Sequence, residues 1–189
     1  MKRIQIYPFL LWIIAIGFSC ATARKSEKYY QENKVAISEL RTDFDVLYRQ
    51  QPFSAGFTDK SFKFYAMQII TDTLRAIYTN DTGKKELWEN VFRFHYDTML
   101  LKKMAAKMKQ LKCLWIGRST YYMDEQKVPF TFISFGSALI EKPFVENKFY
   151  ILVFLDKKPE HPELEDRVKK GKLVPIDDLV YFTIGSNYR

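Results

Sequence analysis

Polar and apolar positions divide the chain into an opening apolar segment and a longer part in which the two kinds of residue alternate. Residues 4–16 are almost entirely apolar and carry no charge. Across 26–50, apolar residues recur at every third or fourth position, including Ile37, Leu40, Phe44 and Leu47. This spacing predicts a helix with one apolar stripe. Ser26 is its candidate N-cap.

The segment 62–80 fits two patterns. As a helix it would place its apolar residues on one side, whereas as a hairpin it would form strands over 62–70 and 74–79. Its aromatic and β-branched residues favour strands, so we predict the hairpin. The preceding residues 53–56 are predicted to be a loop.

A second long helix is predicted over 84–112, and strands follow it. The helix would bury an apolar face that includes Leu87, Val91, Leu101, Ala105 and Met108, together with Phe94 and Thr98. Strands are predicted over 113–123, 128–136, 148–155 and 179–184, with a short helix over 162–170. The apolar run 149–155 suits a strand covered on both faces. These elements predict an α+β fold, in which a mainly antiparallel sheet of about four to six strands has two long helices packed on one face.

The first twenty residues predict export. Lys2 and Arg3 precede the apolar run, and small residues follow it, which is the order found in a secretory signal peptide. The residues Ile16-Gly17-Phe18-Ser19-Cys20 end this segment on a cysteine. The segment resembles the signal peptide of a bacterial lipoprotein, and the resemblance covers no more than this segment. It implies a signal peptide over 1–19, acylation of Cys20 with palmitate-type chains, and a lipidated tether over 20–25. A single α+β domain would occupy 26–189.

The resemblance also implies a location. Ala21 follows the cysteine, which in the enterobacterial rule implies sorting to the outer membrane, and we expect the periplasmic face. Two alternatives stay open. The A-x-A triplet over 21–23 could be cut before Arg24 to release a soluble protein, or residues 4–23 could remain as a membrane anchor.

Charge and cysteine content restrict the partners. The chain carries a net charge of +8, and removal of residues 1–19 leaves 170 residues with a net charge of +6. This charge permits attraction to anionic lipid or to an acidic envelope protein. Export argues against nucleic acid as a partner. If Cys20 is lipidated, Cys113 has no partner in the chain, and we expect it to be buried and inert.

Few residues are candidates for catalysis. The chain contains two histidines, His95 and His161, and none of the phosphate-binding, zinc-binding or serine-nucleophile motifs. A thiolate at Cys113 with His95 as its base is one candidate pair. Neighbouring carboxylates are a second candidate, for glycan hydrolysis, at Asp43 with Asp45, Asp124 with Glu125, and Asp177 with Asp178. We predict no cofactor and no catalytic residue.

Other polar and apolar groups have simple structural explanations. The acidic residues around His161 are predicted to lie on a solvated helix with internal ion pairs rather than to bind a cation. Met99, Met104 and Met108 are expected to fill the core. Tyr121, Tyr122 and the tail 187–189 are candidates for a partner surface.

The sequence therefore predicts a membrane-anchored envelope lipoprotein without catalytic activity, which binds or assembles with another envelope component. One alternative is a periplasmic hydrolase that acts on cell-wall glycan or peptide. Another is a carrier of a small apolar ligand, which requires an apolar cavity between the sheet and its helices.

Overall fold

One antiparallel sheet forms the body of the protein. The computed structural model describes residues 7–71, 75–123, 126–137, 148–158 and 161–186, and it leaves the side chains of 7–22, 75 and 137 undescribed. Within these ranges the elements are α1 (Tyr7–Gln50), β1 (Phe53–Phe57), β2 (Phe64–Ile70), β3 (Arg75–Asp81), α2 (Lys85–Phe92), α3 (Thr98–Gln110), β4 (Trp115–Met123), β5 (Gln126–Ser137), β6 (Phe149–Leu155), α4 (Pro162–Lys169), β7 (Val174–Asp177) and β8 (Val180–Gly185). The strand order is β3-β2-β1-β4-β5-β6-β8-β7.

The predicted number of strands and helices was wrong. The described residues form an α+β fold with eight strands and four helices, and these are not two long helices on one face. Helices α1, α2 and α3 cover one face of the sheet, whereas Leu164 of α4 packs into the apolar cluster on the other. Strands β1 and β7 were not predicted, and α2 and α3 were predicted to be one helix.

Strand β1 occupies the segment that was predicted to be a loop. All five of its residues are buried, and it pairs with both β2 and β4. Gly56 lies opposite Trp115, and a Cβ atom at this position would overlap the carbonyl of Leu114 and the ring of Trp115. The glycine is thus required by the close approach of two strands, although in the sequence it is typical of a turn.

The predicted helix over 84–112 is broken near its middle. Helix α2 ends at Phe92, and His95 has a φ of 62°, which a right-handed helix cannot contain. Asp97 then caps α3, because its Oδ1 accepts hydrogen bonds from the backbone N–H groups of Met99 and Leu100 at 2.9 and 3.0 Å. The chain therefore leaves α2 and starts α3 in a new direction.

Two predictions about strands are confirmed. Residues 62–80 contain the hairpin of β2 and β3, which pair from Phe64 opposite Asp81 to Ile70 opposite Arg75. Strand β6 is covered on both faces: Leu152 belongs to the cluster under the three helices, and Val153 to the cluster on the α4 side.

Helix α1 connects the N-terminal segment to the sheet. It was predicted to begin at Ser26, but it begins at Tyr7 and includes the backbone of Cys20. Ser26 is a buried residue inside the helix rather than a cap. Among the described residues, no helix has both the length and the apolar character needed to cross a membrane.

Candidate functional site

A groove between α2 and α3 is the candidate binding site. Each helix contributes residues three, four and seven or eight positions apart, which lie on one face of a helix. The groove has a volume of about 780 Å³ and lies beside the turn that follows β3. Its lining residues are Phe57, Thr82, Gly83, Lys85, Trp88, Glu89, Phe92, Thr98, Lys102, Ala105, Ala106 and Lys109.

The floor of the groove is aromatic and well held. The ring of Phe57 makes an edge contact with the buried Tyr65, with 5.2 Å between ring centroids. Trp88 is 8% exposed, and its indole N–H donates a hydrogen bond to the Thr82 carbonyl at 3.1 Å. This bond ties α2 to the turn after β3, so the floor is formed before any ligand arrives.

The break between the helices keeps the groove open. Tyr96 lies in the connecting segment, 2% exposed, with its ring against Phe53 at 5.3 Å. Its hydroxyl donates a hydrogen bond to the Gln51 carbonyl at 2.9 Å. The connection is thus anchored at the end of α1, and α2 and α3 diverge from it.

Positive charge dominates the groove. Three lysines and one carboxylate line it. The Lys85 ammonium donates a hydrogen bond to the Glu89 carboxylate at 2.7 Å, and this bond raises the pKa of Lys85. The ammonium group of Lys102 lies 5.6 Å from the centroid of the Trp88 ring. Lys102 and Lys109 form no ion pair among the described residues, so their charges are available to an anion.

The opposite side of α3 is fixed to α1 by ion pairs. Lys107 contacts Glu39 at 2.8 Å and Asp43 at 3.2 Å, and Lys103 contacts Asp43 at 3.3 Å. Desolvation lowers the pKa of Lys107, but the hydrogen bonds that its ammonium group donates to both carboxylates raise it more, so the pKa lies above its usual value. These contacts orient α3 so that Lys102 and Lys109 face the groove. The lysines of α3 therefore divide between two faces, with Lys103 and Lys107 towards α1 and with Lys102 and Lys109 at the groove.

The candidate thiol nucleophile lies in the core. Cys113 is a free cysteine that is fully buried, as expected, and its Sγ–H donates to the Trp115 carbonyl at 3.5 Å. Burial raises the pKa of this thiol well above its usual range. His95 is exposed on the connection between α2 and α3, so these two residues do not offer substrate an activated thiolate.

The neighbouring carboxylates separate rather than converge. Asp43 contacts α3, whereas Asp45 lies 3.7 Å from Arg118 of β4. Asp177 accepts hydrogen bonds from Lys34 at 2.6 Å and from the Tyr30 hydroxyl at 3.1 Å, which lower its pKa. Residues 124 and 125 lie outside the described residues. In the described parts of the chain, no group of three or more metal-binding side chains comes together.

The acidic segment after β6 has the predicted form. Helix α4 carries ion pairs four residues apart, at Arg167 with Glu163, Lys169 with Glu165, and Lys170 with Asp166. His161 caps the helix by accepting a hydrogen bond from the Glu163 N–H at 3.2 Å. The cluster is therefore a solvated helix, as predicted.

The remaining sequence candidates have separate positions. Met104 and Met108 are buried, but Met99 is 75% exposed, so its assignment to the core was wrong. Tyr122 is 66% exposed, whereas the Tyr121 ring stacks on Phe130. The tail 187–189 and the side chain of Cys20 lie outside the described part of the protein.

Sequence reasoning missed the groove because it treated α2 and α3 as one helix. The signal available was the Asp97-Thr98 pair, which is a typical helix start. No family model, curated protein or solved structure matches the chain.

Proposed function

We propose that this protein is a non-enzymatic binding module, tethered to a bacterial envelope membrane through lipidated Cys20, and that its groove binds an amphiphilic anion such as a fatty acid. The tether is supported by residues 16–20, which resemble the end of a bacterial lipoprotein signal peptide. The groove carries the proposal for the ligand, because an aromatic floor and an excess of lysines occur together in about 780 Å³. It differs from the carrier of a small apolar ligand considered as an alternative from the sequence, because that carrier requires a cavity between the sheet and its helices, whereas this groove lies between α2 and α3.

The apolar part of the groove suits a hydrocarbon chain. Phe57, Trp88 and Ala105 lie under the groove with no more than 8% of their surface exposed, and Phe92 at its edge, with 66% exposed, supplies most of the open apolar surface. Covering such a surface with an acyl chain is favourable by about 0.8 kcal/mol for each buried methylene group. Four or five methylene groups would therefore supply about 3–4 kcal/mol towards binding.

The charged part of the groove suits a carboxylate or a phosphate. Lys102 and Lys109 are seven residues apart on α3, which places them on the same face about two turns apart. Glu89 is already paired with Lys85. An anion that enters the groove would therefore meet two lysines without a carboxylate partner among the described residues.

The size of the groove favours a small ligand over a folded protein. Pockets for small molecules have volumes of about 300–1,000 Å³ and combine apolar walls with few polar groups. A stable protein interface covers about 800 Å² on each partner, which needs a broader surface than the faces of an 8-residue and a 13-residue helix. The described residues give no support to the hydrolase, because the groove contains one carboxylate and Cys113 is buried.

Photocrosslinking tests the ligand. The full-length chain in a non-ionic detergent would be irradiated with a diazirine-labelled fatty acid, and the adducts would be located by peptide mass spectrometry. We expect adducts at Phe57, Trp88 or Phe92. Replacement Ala106→Trp fills the groove at an exposed position and should abolish them. The double replacement Lys102→Gln with Lys109→Gln should weaken labelling about tenfold, since two exposed ion pairs contribute about 1.4 kcal/mol together.

A matched variant and a matched probe make this test specific. Lys127→Gln removes one exposed lysine at the far end of β5 and should leave the groove adducts unchanged. The corresponding diazirine alcohol should label the groove less than the acid, because it lacks the charge. If adducts are confined to residues 1–22, or if the acid and alcohol label equally with all variants, the groove does not bind an amphiphilic anion.

A further inference from the structure

The groove and the N-terminal part of α1 lie at the same end of the sheet, which we call the tether end. Lys25 of α1 lies 5.5 Å from the ring centroid of Tyr150, near the start of β6, and Tyr29 stacks on Phe135, near the end of β5. Tyr29 also donates a hydrogen bond to the Leu111 carbonyl, just after α3, at 2.8 Å. Helix α1 therefore leaves the domain at the edge where β5 ends and β6 begins.

The strand register extends this edge to the groove. Tyr150 is opposite Gly136, Ser134 is opposite Trp115, and Trp115 is opposite Gly56. Phe57, the groove floor, is the last residue of β1 and follows Gly56 directly. The edge continues through β2 to Asn80, which lies opposite Tyr65 near the end of β3. The turn that lines the groove follows immediately.

Exposed cations surround this end. They come from three different parts of the chain: the exit of α1, the start of α2, and the segment from the end of α3 to the start of β6. None of them forms an ion pair among the described residues, and all are exposed. They are Arg24, Lys25, Lys84, Lys109, Lys112 and Lys148. Two carboxylates at the same end are engaged: Asp81 lies 3.5 Å from Lys63, and Asp59 accepts hydrogen bonds from the Lys63 and Phe64 N–H groups. Glu27 and Glu86 are exposed there without an ion pair among the described residues, so the cations without an ion pair exceed such carboxylates by six to two.

We propose that the tether end is a docking face for a bilayer with anionic lipids, and that docking turns the groove towards that bilayer. This inference rests on the tether of the proposed function. Cys20 precedes Lys25 by five residues, which is about 7.5 Å along a helix, so acyl chains on Cys20 would hold Lys25 within one Debye length of the lipid head groups. The other cations share this end of the sheet and would face the same bilayer. Each lysine near an anionic surface strengthens such docking several-fold. The groove would then receive its ligand directly from the membrane.

Lysine footprinting tests the orientation by comparing two kinds of vesicle that differ in lipid charge, so the anchor is the same in both measurements. The full-length chain would be reconstituted in vesicles of phosphatidylcholine, or of phosphatidylcholine with 40% phosphatidylglycerol, and acetylated with a membrane-impermeant reagent. We expect Lys84 and Lys112 to react about fivefold more slowly on the anionic vesicles. Lys127 and Lys157 are exposed at the opposite end of the sheet and should react equally on both. Equal rates at all four lysines, or equal protection at both ends, would overturn the proposal.

A pair of charge-reversal variants separates docking from ligand binding. Lys84→Glu with Lys112→Glu changes two exposed residues that do not line the groove, and it should remove the protection of Lys109 and Lys148. The matched variant, Lys127→Glu with Lys157→Glu, should keep it. Protection that survives the first variant contradicts docking through this end. If the fatty-acid adducts occur in the groove without lipid-dependent protection of the lysines, the docking face is wrong and the ligand proposal stands. If the lysines are protected but no adducts form in the groove, the ligand proposal is wrong and the docking face stands.

Discussion

The ion pairs between α1 and α3 should contribute unequally to stability, although they share one lysine. Lys107 contacts both Glu39 and Asp43, and its own side chain is 12% exposed. The two carboxylates differ: the Glu39 side chain is 59% exposed and the Asp43 side chain 12%. An exposed pair contributes about 0–1 kcal/mol. Removal of one member of a buried pair costs about 3–5 kcal/mol when it leaves a charge without a partner. After loss of Asp43 the Lys107 ammonium keeps Glu39, so the cost of losing Asp43 lies below that range.

Alanine substitutions at the two positions provide a matched comparison. Both residues lie inside the C-terminal third of α1, and alanine improves helix propensity by about 0.5 kcal/mol in each case. We therefore expect Asp43→Ala to lower the free energy of unfolding by about 2 kcal/mol and Glu39→Ala to change it by less than about 1 kcal/mol. For a chain of this size these values correspond to a fall of about 4–8 °C and of less than about 4 °C in Tm.

The assay is thermal unfolding of the full-length chain in a non-ionic detergent, followed by circular dichroism. The pKa of Lys107 is raised above its usual value, so its contribution is complete below its unfolded-state pKa and is lost as the pH rises through the folded-state pKa. The difference between Asp43→Ala and the unmodified chain should consequently stay constant from about pH 6 to 9 and decrease above about pH 10.5. Equal costs for the two substitutions, or a cost below 1 kcal/mol for Asp43→Ala, would refute this reasoning.

Three further substitutions test other parts of the fold. Thr131→Val should raise the free energy of unfolding by about 1 kcal/mol, measured by denaturant titration, because the Thr131 hydroxyl is buried without a hydrogen-bond partner among the described residues; a loss of stability would contradict this. Gly56→Ala should lower Tm sharply or prevent folding, since the new Cβ would overlap the Leu114 carbonyl, and an unchanged Tm would show that β1 and β4 are not so close. The pKa of Asp177 is lowered by its hydrogen bond from Lys34, so its contribution to stability is present above its unfolded-state pKa and is lost as the pH falls through the folded-state pKa. The unmodified chain should therefore be more stable than Asp177→Asn at pH 6 and should lose that advantage towards pH 2. A difference in stability that does not depend on pH would exclude the contact.

Two elements could be predicted from the types of residue in their own segments of the chain. The β2–β3 hairpin follows from aromatic and β-branched residues, and the burial of β6 follows from its continuous apolar run. Strand β1 was missed because a glycine such as Gly56 occurs both in turns and where two strands approach closely. Only the pairing of β1 with β4 in the folded protein shows which of the two applies. Strand β7 was missed because it is four residues long and contains Pro175 at the edge of the sheet, where proline is tolerated.

The groove was beyond the sequence analysis for a different reason. Leu87, Val91, Leu101 and Met108 are all buried, so the apolar stripe continues across the break and fits one long helix as well as two. The position of Asp97 indicates where a helix can start, but the angle between α2 and α3 depends on where Tyr96 is held. That contact joins residues 45 positions apart in the chain, and periodicity carries no information about it.

The same break connects the proposed ligand to the proposed membrane. If residues 84–112 formed one straight helix of 29 residues, it would extend about 43 Å, and its lysines could not converge. Because the chain turns at residues 93–97, the start of α2 and the end of α3 return to the same edge of the sheet. Lys85 and Lys109 therefore lie on opposite walls of one groove, at the end from which α1 departs. The groove and the shared position of Lys84 and Lys109 thus depend on one connection, and a change that straightens it should abolish both fatty-acid labelling and the lipid-dependent protection of Lys84.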